Sequence, residues 1–145
     1  GEPLKPLEKV ASGGELSRIM LCFKSIFADN DRVPTLIFDE IDTGISGHIA
    51  AVVGEKMVSI ADNHQVLCVT HLPQIAALAD VHFMVQKQDD GQTTRTSLKR
   101  LEMEERYEYI ARMMSGMEDS KLAYEHAREL ITHSEEIKQK RRKNK

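Results

Sequence analysis

Three clusters of residues in the 145-residue chain have types and spacing that suit chemistry on a phosphate. The first lies in KVASGGELSRIML (residues 9–21), where Ser12, Gly13, Gly14 and Glu15 stand immediately before an apolar helix pattern. Glycine costs about 1 kcal/mol relative to alanine inside a helix, so two in succession need a reason. A helix amino terminus offers free N–H groups and the positive end of a dipole, and both favour an anion.

A capping box is the alternative explanation for this stretch. Ser12 would be the N-cap, and Glu15 stands three residues later, as the box requires. The capping box does not explain why positions 13 and 14 are both glycine. Because glycine allows a backbone to come very close to another group, Ser12 and the glycine amides are predicted to contact a phosphate. The stretch alone leaves both explanations open.

Asp39 and Glu40 form the second cluster, directly after the apolar run TLIF (residues 35–38). Ligands of open α/β sheets bind at the carboxyl ends of the strands. One acid is predicted to hold Mg²⁺, usually through water. The next is predicted to orient or deprotonate an attacking water. The alternative is a pair of acids that simply begins a solvated loop.

His71 follows a second apolar run, QVLCVT (residues 65–70), and is predicted to lie at the same sheet edge. A neutral imidazole there can hydrogen-bond a phosphate or the attacking water. A helix-capping or core histidine is the alternative. Taken together, the three clusters suit water attack on a Mg²⁺-bound nucleotide phosphate.

Hydrophobic periodicity predicts the elements that must position these residues. Apolar residues at 16, 19, 20, 23, 26 and 27 predict one face of an amphipathic helix that ends near residue 28. The runs at 35–38 and 65–70 predict strands buried on both faces, as in a parallel sheet. The next helix is predicted over residues 46–62, with its inward positions at Ile49, Val53, Met57, Ile60 and Ala61.

The rest of the chain predicts a short helix, a hairpin and two longer helices. The short helix covers residues 72–80, with its proline near the first turn, where a missing N–H is harmless. Alternating segments over residues 81–101 predict the hairpin. The final helices are predicted over 103–114 and 119–137. The order of elements predicts an α/β fold with a parallel sheet at its centre.

Composition and charge limit the classes of protein that need consideration. The chain is 41% hydrophobic and 30% charged, which is ordinary for one globular domain. It has no apolar run of the roughly 20 residues that span a bilayer, and its polar start does not resemble a secretory signal. Cys22 and Cys68, each in an apolar run, predict buried free thiols in a reducing compartment. A cytoplasmic protein without a membrane partner is expected.

The net charge of −3 is unevenly distributed along the chain. The last eight residues, KQKRRKNK, carry six positive charges and no acid. A basic footprint for nucleic acid is therefore confined to this tail, residues 138–145. The alternative is a solvated, frayed helix end.

Four short motifs give the chain a family resemblance. ASGGE resembles the signature motif of ABC-type ATPases, LIFDE their Walker B strand, IDTGIS their D-loop and VTH their switch histidine. The longer segments PLKPLEKVASGGELSRIML, PTLIFDEIDTGISG and VTHLPQIAALAD together resemble the C-terminal part of the RecN family. RecN proteins are bacterial DNA-repair proteins related to the SMC proteins. The resemblance covers roughly residues 1–130.

The resemblance implies a fold and a division of the chain. Residues 1–137 would form the C-terminal lobe of an ABC/SMC-type ATPase head, and residues 138–145 a basic tail. The implied lobe has a parallel sheet core flanked by helices, with an added β-hairpin.

The resemblance also implies a role for each motif residue. Ser12, Gly13 and Gly14 would contact the γ-phosphate of ATP held by a second head, and Glu15 would support that loop. Ala11 stands where leucine is usual, at a position not expected to touch phosphate.

The remaining motif residues would serve the chain's own nucleotide. Asp39 would help to place Mg²⁺, Glu40 would polarise the attacking water, and His71 would sense the γ-phosphate. The D-loop residues would lie along the dimer seam; they are Asp42, Thr43, Gly44 and Ser46.

A G-x-x-x-x-G-K-[ST] phosphate loop does not occur in this sequence. In the family that loop lies far upstream, so the chain is expected to be one part of an ATPase head and inactive alone. The implied cofactors are ATP and Mg²⁺. The implied partners are the N-terminal Walker A lobe, a second copy joined through ATP-bound heads, and DNA, in a bacterial cytoplasm and near the nucleoid. The alternatives are a DNA-binding scaffold that uses the basic tail, or a lobe of another SMC-like protein.

Overall fold

The computed structural model describes residue 6 and residues 11–27, 32–89, 93–116 and 120–143. Helices and strands follow one another in the order that the hydrophobic pattern predicts, which gives a mixed α/β chain. The elements are α1 Gly13–Phe27, β1 Thr35–Phe38, α2 Gly47–Ile60, β2 Gln65–Cys68, α3 Pro73–Ala76, β3 Phe83–Asp89, β4 Thr94–Arg100, α4 Met103–Ser115 and α5 Lys121–Lys143. They fall into two compact units, residues 1–75 and 76–145. No helix in the described ranges has the length and apolar character that crossing a membrane requires.

The first unit contains a parallel pair of strands, as predicted. β1 and β2 pair in register from Thr35 opposite Gln65 to Phe38 opposite Cys68. Their inward side chains join α1 and α2 in one core, whose buried members are Leu21, Leu36, Phe38, Ile41, Ala50, Val53, Met57, Ile60 and Ile75. The parallel register brings the ends of both strands, and the residues that follow them, to one edge of the sheet.

The prediction that both faces of these strands are buried is wrong. Leu36 and Phe38 are buried, but Ile37 between them is 70% exposed and Leu67 on β2 is 46% exposed. Alternate strand residues point to opposite faces, so one face of the pair packs on the core and the other meets solvent. A continuous apolar run therefore gives a strand two apolar faces. The described residues of this unit pack on one of these faces and leave the other exposed to solvent.

The apolar face predicted for α1 is present on the helix, but it is not buried. Leu21 is the large side chain of α1 that enters the core. The predicted positions are between 37% and 72% exposed; they are Leu16, Ile19, Met20, Phe23, Ile26 and Phe27. Cys22 is also exposed, so its predicted burial is wrong, although both cysteines are free thiols.

α2 confirms three of its five predicted inward residues. Val53, Met57 and Ile60 are buried, whereas Ile49 is 49% exposed and Ala61 is exposed. Ala50 is fully buried in place of Ile49, and Gly54 is also buried, so the buried stripe adds two small residues to the three predicted ones. These buried positions hold small side chains, which the periodicity of large residues does not reveal.

The second unit contains the predicted hairpin. β3 and β4 are antiparallel, from Phe83 opposite Arg100 to Asp89 opposite Thr94, and the predicted turn at 90–92 lies outside the described residues. α4 and α5 pack around a separate core of small and branched residues; its buried members are Ala76, Ala77, Ile110, Ala111, Ala123, Ala127 and Ile131.

α5 continues to Lys143, so the predicted helix end at residue 137 is wrong. Lys138 explains the continuation, because its side chain is 5% exposed and its ammonium binds Asp80 at 3.0 Å and Glu135 at 2.9 Å. The first cation of the predicted basic tail is therefore part of the packed unit.

Candidate functional site

The amino end of α1 is closed by a complete capping box. The backbone N–H and the hydroxyl of Ser12 both donate to Glu15 Oε2, at 2.8 and 3.0 Å, and the Glu15 N–H donates to Ser12 Oγ at 3.3 Å. These bonds, from the Ser12 backbone first and its side chain second, lower the pKa of the Glu15 carboxyl. The box accounts for the serine and the glutamate of the SGGE stretch.

Gly13 and Gly14 are explained by Glu40 of the same chain. A Cβ on Gly13 would lie 2.6 Å from Glu40 Oε2, and a Cβ on Gly14 would lie 2.7 Å from the Glu40 carbonyl oxygen. Real Cβ atoms do not come this close to oxygen. The two glycines therefore let the start of α1 pack directly on the residue that ends the DE pair.

Glu40 has a left-handed backbone, with a φ of 56°. This region costs a non-glycine residue of order 1–3 kcal/mol and is found where the surroundings fix it, often at functional sites. The Glu40 N–H donates to Asp39 Oδ1 at 2.9 Å, and the Glu40 carbonyl accepts from Thr43 N at 3.0 Å. Gly44, four residues on, has a φ of 74° that glycine adopts freely.

Two side chains of α1 hold the loop after β1 in place. Ser17 Oγ donates to the Asp39 carbonyl at 2.9 Å, and Arg18 Nη1 donates to the carbonyls of Ile41 and Thr43 at 3.0 and 2.9 Å. Sequence reasoning missed both residues. The available signal was spacing, because Arg18 stands four residues after Gly14 and so shares its helix face.

Asp42 is buried, and its carboxylate joins this loop to the end of β2. Asp42 Oδ2 accepts from Thr70 Oγ1 at 2.6 Å and from the His71 backbone N–H at 2.8 Å, and it lies 3.0 Å from His71 Nδ1. The Asp42 side chain is 3% exposed and that of His71 is 72% exposed. Thr70, which the sequence analysis did not single out, also accepts from Leu72 N at 3.0 Å.

Burial and neighbouring groups shift the pKa values of Asp42 and Cys68 at this edge. Burial acts to raise the pKa of Asp42, but the hydrogen bonds from Thr70 and His71 outweigh it and hold that pKa below its usual value. Cys68, at the end of β2, shows the opposite balance. Burial, together with the charges of Asp42 and Asp39, raises the pKa of its thiol to about 12.

The predicted site residues all lie in the first unit, and contacts join them in two groups. In the first group Gly13 and Gly14 pack on Glu40, beside the Ser12–Glu15 box. The second group is Asp42 with His71. Asp39 and the predicted D-loop residues Thr43, Gly44 and Ser46 are exposed.

Within the described ranges no three His, Cys, Asp or Glu side chains converge to hold a metal ion. Mg²⁺ commonly takes one or two carboxylates, with waters and substrate phosphates completing its octahedron. The exposed Asp39, at the end of β1, can supply one such carboxylate oxygen. The donor set present therefore suits a metal that arrives with a phosphate ligand.

Comparison with known proteins gives a consistent set of relatives, although no family model matches the chain. The DNA repair protein RecN of Halalkalibacterium halodurans is 50% identical over 138 residues, or 95% of this chain and 24% of that protein. RecN of Bacillus subtilis is 50% identical over 139 residues, which again is 95% of this chain and 24% of that protein. RecN of Streptomyces coelicolor is 49% identical over 131 residues, or 90% of this chain and 23% of that protein. Nearly the whole chain is therefore similar to RecN DNA repair proteins, and it spans about a quarter of their length.

Proposed function

We propose that this chain is the C-terminal part of a RecN-type ATPase head, which hydrolyses ATP with Mg²⁺ in the repair of DNA double-strand breaks. The observation that carries the proposal is the packing of the SGGE helix start on Glu40, the second acid of the DE pair that follows β1. The helix start, the two carboxylates and the His71 loop belong to one compact unit, which supports a shared role. The relatives that share this sequence are DNA repair proteins by name.

The proposed roles use the chain's own atoms. Asp39 would supply one carboxylate oxygen to Mg²⁺, which would neutralise charge on the transferring phosphate. Glu40 would orient the attacking water once its carboxylate turns away from Gly13. His71, exposed at the end of β2, would meet the γ-phosphate of the same nucleotide.

Ser12, Gly13 and Gly14 would serve the nucleotide of a second head. The first turn of α1 has backbone N–H groups that its own helix does not use, and its dipole favours a phosphate. Thr43, Gly44 and Ser46 are exposed, as a loop at a dimer seam must be. Hydrolysis would then require two heads closed on two ATP molecules.

The exposed apolar faces of the first unit support the proposal that another lobe packs on this unit. Ile37 and Val69, on the open side of the strand pair, are 70% and 61% exposed, and α1 carries six large apolar residues exposed by 37% or more. Exposed apolar groups of this extent mark interaction surfaces. We assign the open side of the strand pair to the N-terminal Walker A lobe of the same protein, and the exposed face of α1 is a second apolar surface for a partner. The proposed setting is the bacterial cytoplasm, on nucleoid DNA.

The test is Glu40→Gln in the full-length protein, with Glu55→Gln as the matched control on the exposed face of α2. Loss of a group that orients water typically costs 10²–10⁴-fold in rate. Glu40→Gln should therefore lower ATP turnover by about this factor while ATP-bound dimers accumulate. Glu55→Gln should leave turnover and dimerisation unchanged. Unchanged turnover in Glu40→Gln would refute the role of Glu40.

A second measurement uses the 145-residue chain by itself. Folding is first checked by circular dichroism, and Mg²⁺-dependent ATP hydrolysis is then measured. The folded chain should show no turnover above background, because the phosphate loop is supplied by another lobe. Turnover that Glu40→Gln abolishes would mean that the chain holds the triphosphate unaided, and the two-lobe proposal would be wrong.

A further inference from the structure

Asp42 and His71 form a pair in which a buried carboxylate meets an exposed imidazole. All three contacts converge on one oxygen, Oδ2, which accepts from Thr70 Oγ1 at 2.6 Å and His71 N at 2.8 Å and lies 3.0 Å from His71 Nδ1. Hydrogen bonds keep the pKa of Asp42 low, so the carboxylate is ionised and can only accept. A proton on His71 Nδ1 would be attracted to this carboxylate at 3.0 Å, whereas a lone pair on Nδ1 would be repelled by it.

The protonation of Nδ1 determines the state of the other ring nitrogen. In a neutral imidazole one nitrogen donates and the other accepts, and the hydrogen bond of the first fixes which is which. With Nδ1–H directed to Asp42, Nε2 keeps its lone pair. The ring is 72% exposed, so Nε2 is accessible to a ligand or a water.

The ring contact goes beyond what the loop needs to keep its shape. Thr70 Oγ1 and the His71 backbone N–H already tie the segment after β2 to Asp42. An exposed imidazole with no partner would keep its rotamer freedom. The third contact therefore acts on the ring itself, because it selects one orientation and one tautomer.

We propose that Asp42 is the positioning residue of His71, holding the ring in its Nδ1–H form so that Nε2 is presented as the acceptor. The use of Nε2 toward a nucleotide or its attacking water rests on the proposed function. The tautomer does not rest on it, because it follows from the Asp42 contacts. The D-loop residue Asp42 thereby acts within its own chain, beneath the exposed residues Thr43 and Gly44 that follow it.

The experiment is a long-range ¹H–¹⁵N correlation spectrum of the imidazole rings in the ¹⁵N-labelled 145-residue chain, with His71→Gln assigning the His71 signals. At about pH 8.5 an ordinary imidazole is neutral, so the two ring nitrogens report the tautomer directly. Native His71 should be about nine-tenths or more in the Nδ1–H form, since that nitrogen has the carboxylate partner. A native ring in the Nε2–H form would overturn the proposal without any variant.

Asp42→Asn supplies the causal step, and Asp39→Asn is the matched control at the same sheet edge. The amide oxygen introduced by Asp42→Asn can still accept from Thr70 and the His71 backbone, but it lacks the charge that selects Nδ1–H. The Nδ1–H share should fall below about one-half in Asp42→Asn and stay at the native value in Asp39→Asn. An unchanged share in a folded Asp42→Asn chain would contradict the proposal. Because no nucleotide is present, this result is independent of whether the full-length protein hydrolyses ATP.

Discussion

Alanine in place of Gly14 should destabilise the first unit, because the new Cβ meets backbone that cannot move freely. It would lie 2.7 Å from the Glu40 carbonyl oxygen, which must retreat by more than half an ångström to reach the ordinary contact distance of 3.4 Å. That backbone is fixed by the bond from Thr43 N to the Glu40 carbonyl and by the Ser17 and Arg18 bonds on either side. Overpacking of this kind costs about 1–3 kcal/mol, and the gain in helix propensity returns at most about 1 kcal/mol. The expected net loss is about 1–2 kcal/mol of unfolding free energy.

Gly13→Ala is the matched variant for this prediction. Its Cβ would lie 2.6 Å from Glu40 Oε2, the far end of a flexible side chain that can rotate away. The gain in helix propensity should then leave Gly13→Ala as stable as the native chain or up to about 1 kcal/mol more stable. Urea unfolding followed by circular dichroism at 222 nm measures the stability of both variants. Equal m-values, the slopes of unfolding free energy against urea concentration, would show that the two variants expose similar surface on unfolding. The reasoning is refuted if Gly14→Ala is as stable as Gly13→Ala.

Three further predictions concern thiol reactivity, the helix cap and the second unit. At pH 8, alkylation followed by mass spectrometry should modify the exposed Cys22 long before Cys68, because burial raises the pKa of the Cys68 thiol to about 12. Equal alkylation rates at the two cysteines would contradict this prediction. Ser12→Ala should lower the unfolding free energy by about 1 kcal/mol at neutral pH. That loss should shrink in acid, because the bond from the Ser12 hydroxyl to Glu15, which the substitution removes, helps to lower the pKa of Glu15, and its contribution disappears as pH falls through the folded-state value. Arg106→Met should lower the free energy of unfolding in urea by about 2–3 kcal/mol, because it removes a buried donor to the backbone carbonyls of Ala77 and Ala79. A loss below about 1 kcal/mol would argue against that role.

Local patterning predicted the elements of the first unit well, for reasons that belong to short segments. TLIF became β1 at the predicted bounds, and Ser12 with Glu15 formed the capping box that their spacing of three requires. β2 stops at Cys68 rather than at residue 70. The hydroxyl of Thr70 turns to Asp42, a contact with a residue far away in sequence that periodicity does not contain.

Burial was predicted less well, because it depends on what lies on the other side of each face. The exposed face of α1 and the exposed Ile37 of β1 both follow the apolar pattern of a buried surface. The pattern states that these faces are apolar, but it carries no information about which polypeptide covers them. Ala50, buried in place of Ile49, shows a second limit, since close packing of α2 selects small residues that a pattern of large ones overlooks.

The contact between Gly13 and Glu40 links the two halves of the proposed mechanism. A carboxylate beside the first turn of a helix is favoured by the same N–H groups and dipole that would favour a phosphate. In the single chain the Glu40 carboxylate lies close to Gly13 at this terminus. If the terminus receives the phosphate of a second head, Glu40 must leave it, and the carboxylate becomes available to orient water in its own site. On the proposed function, head closure and the release of Glu40, an acid held in a left-handed backbone beside this helix start, would therefore be one event.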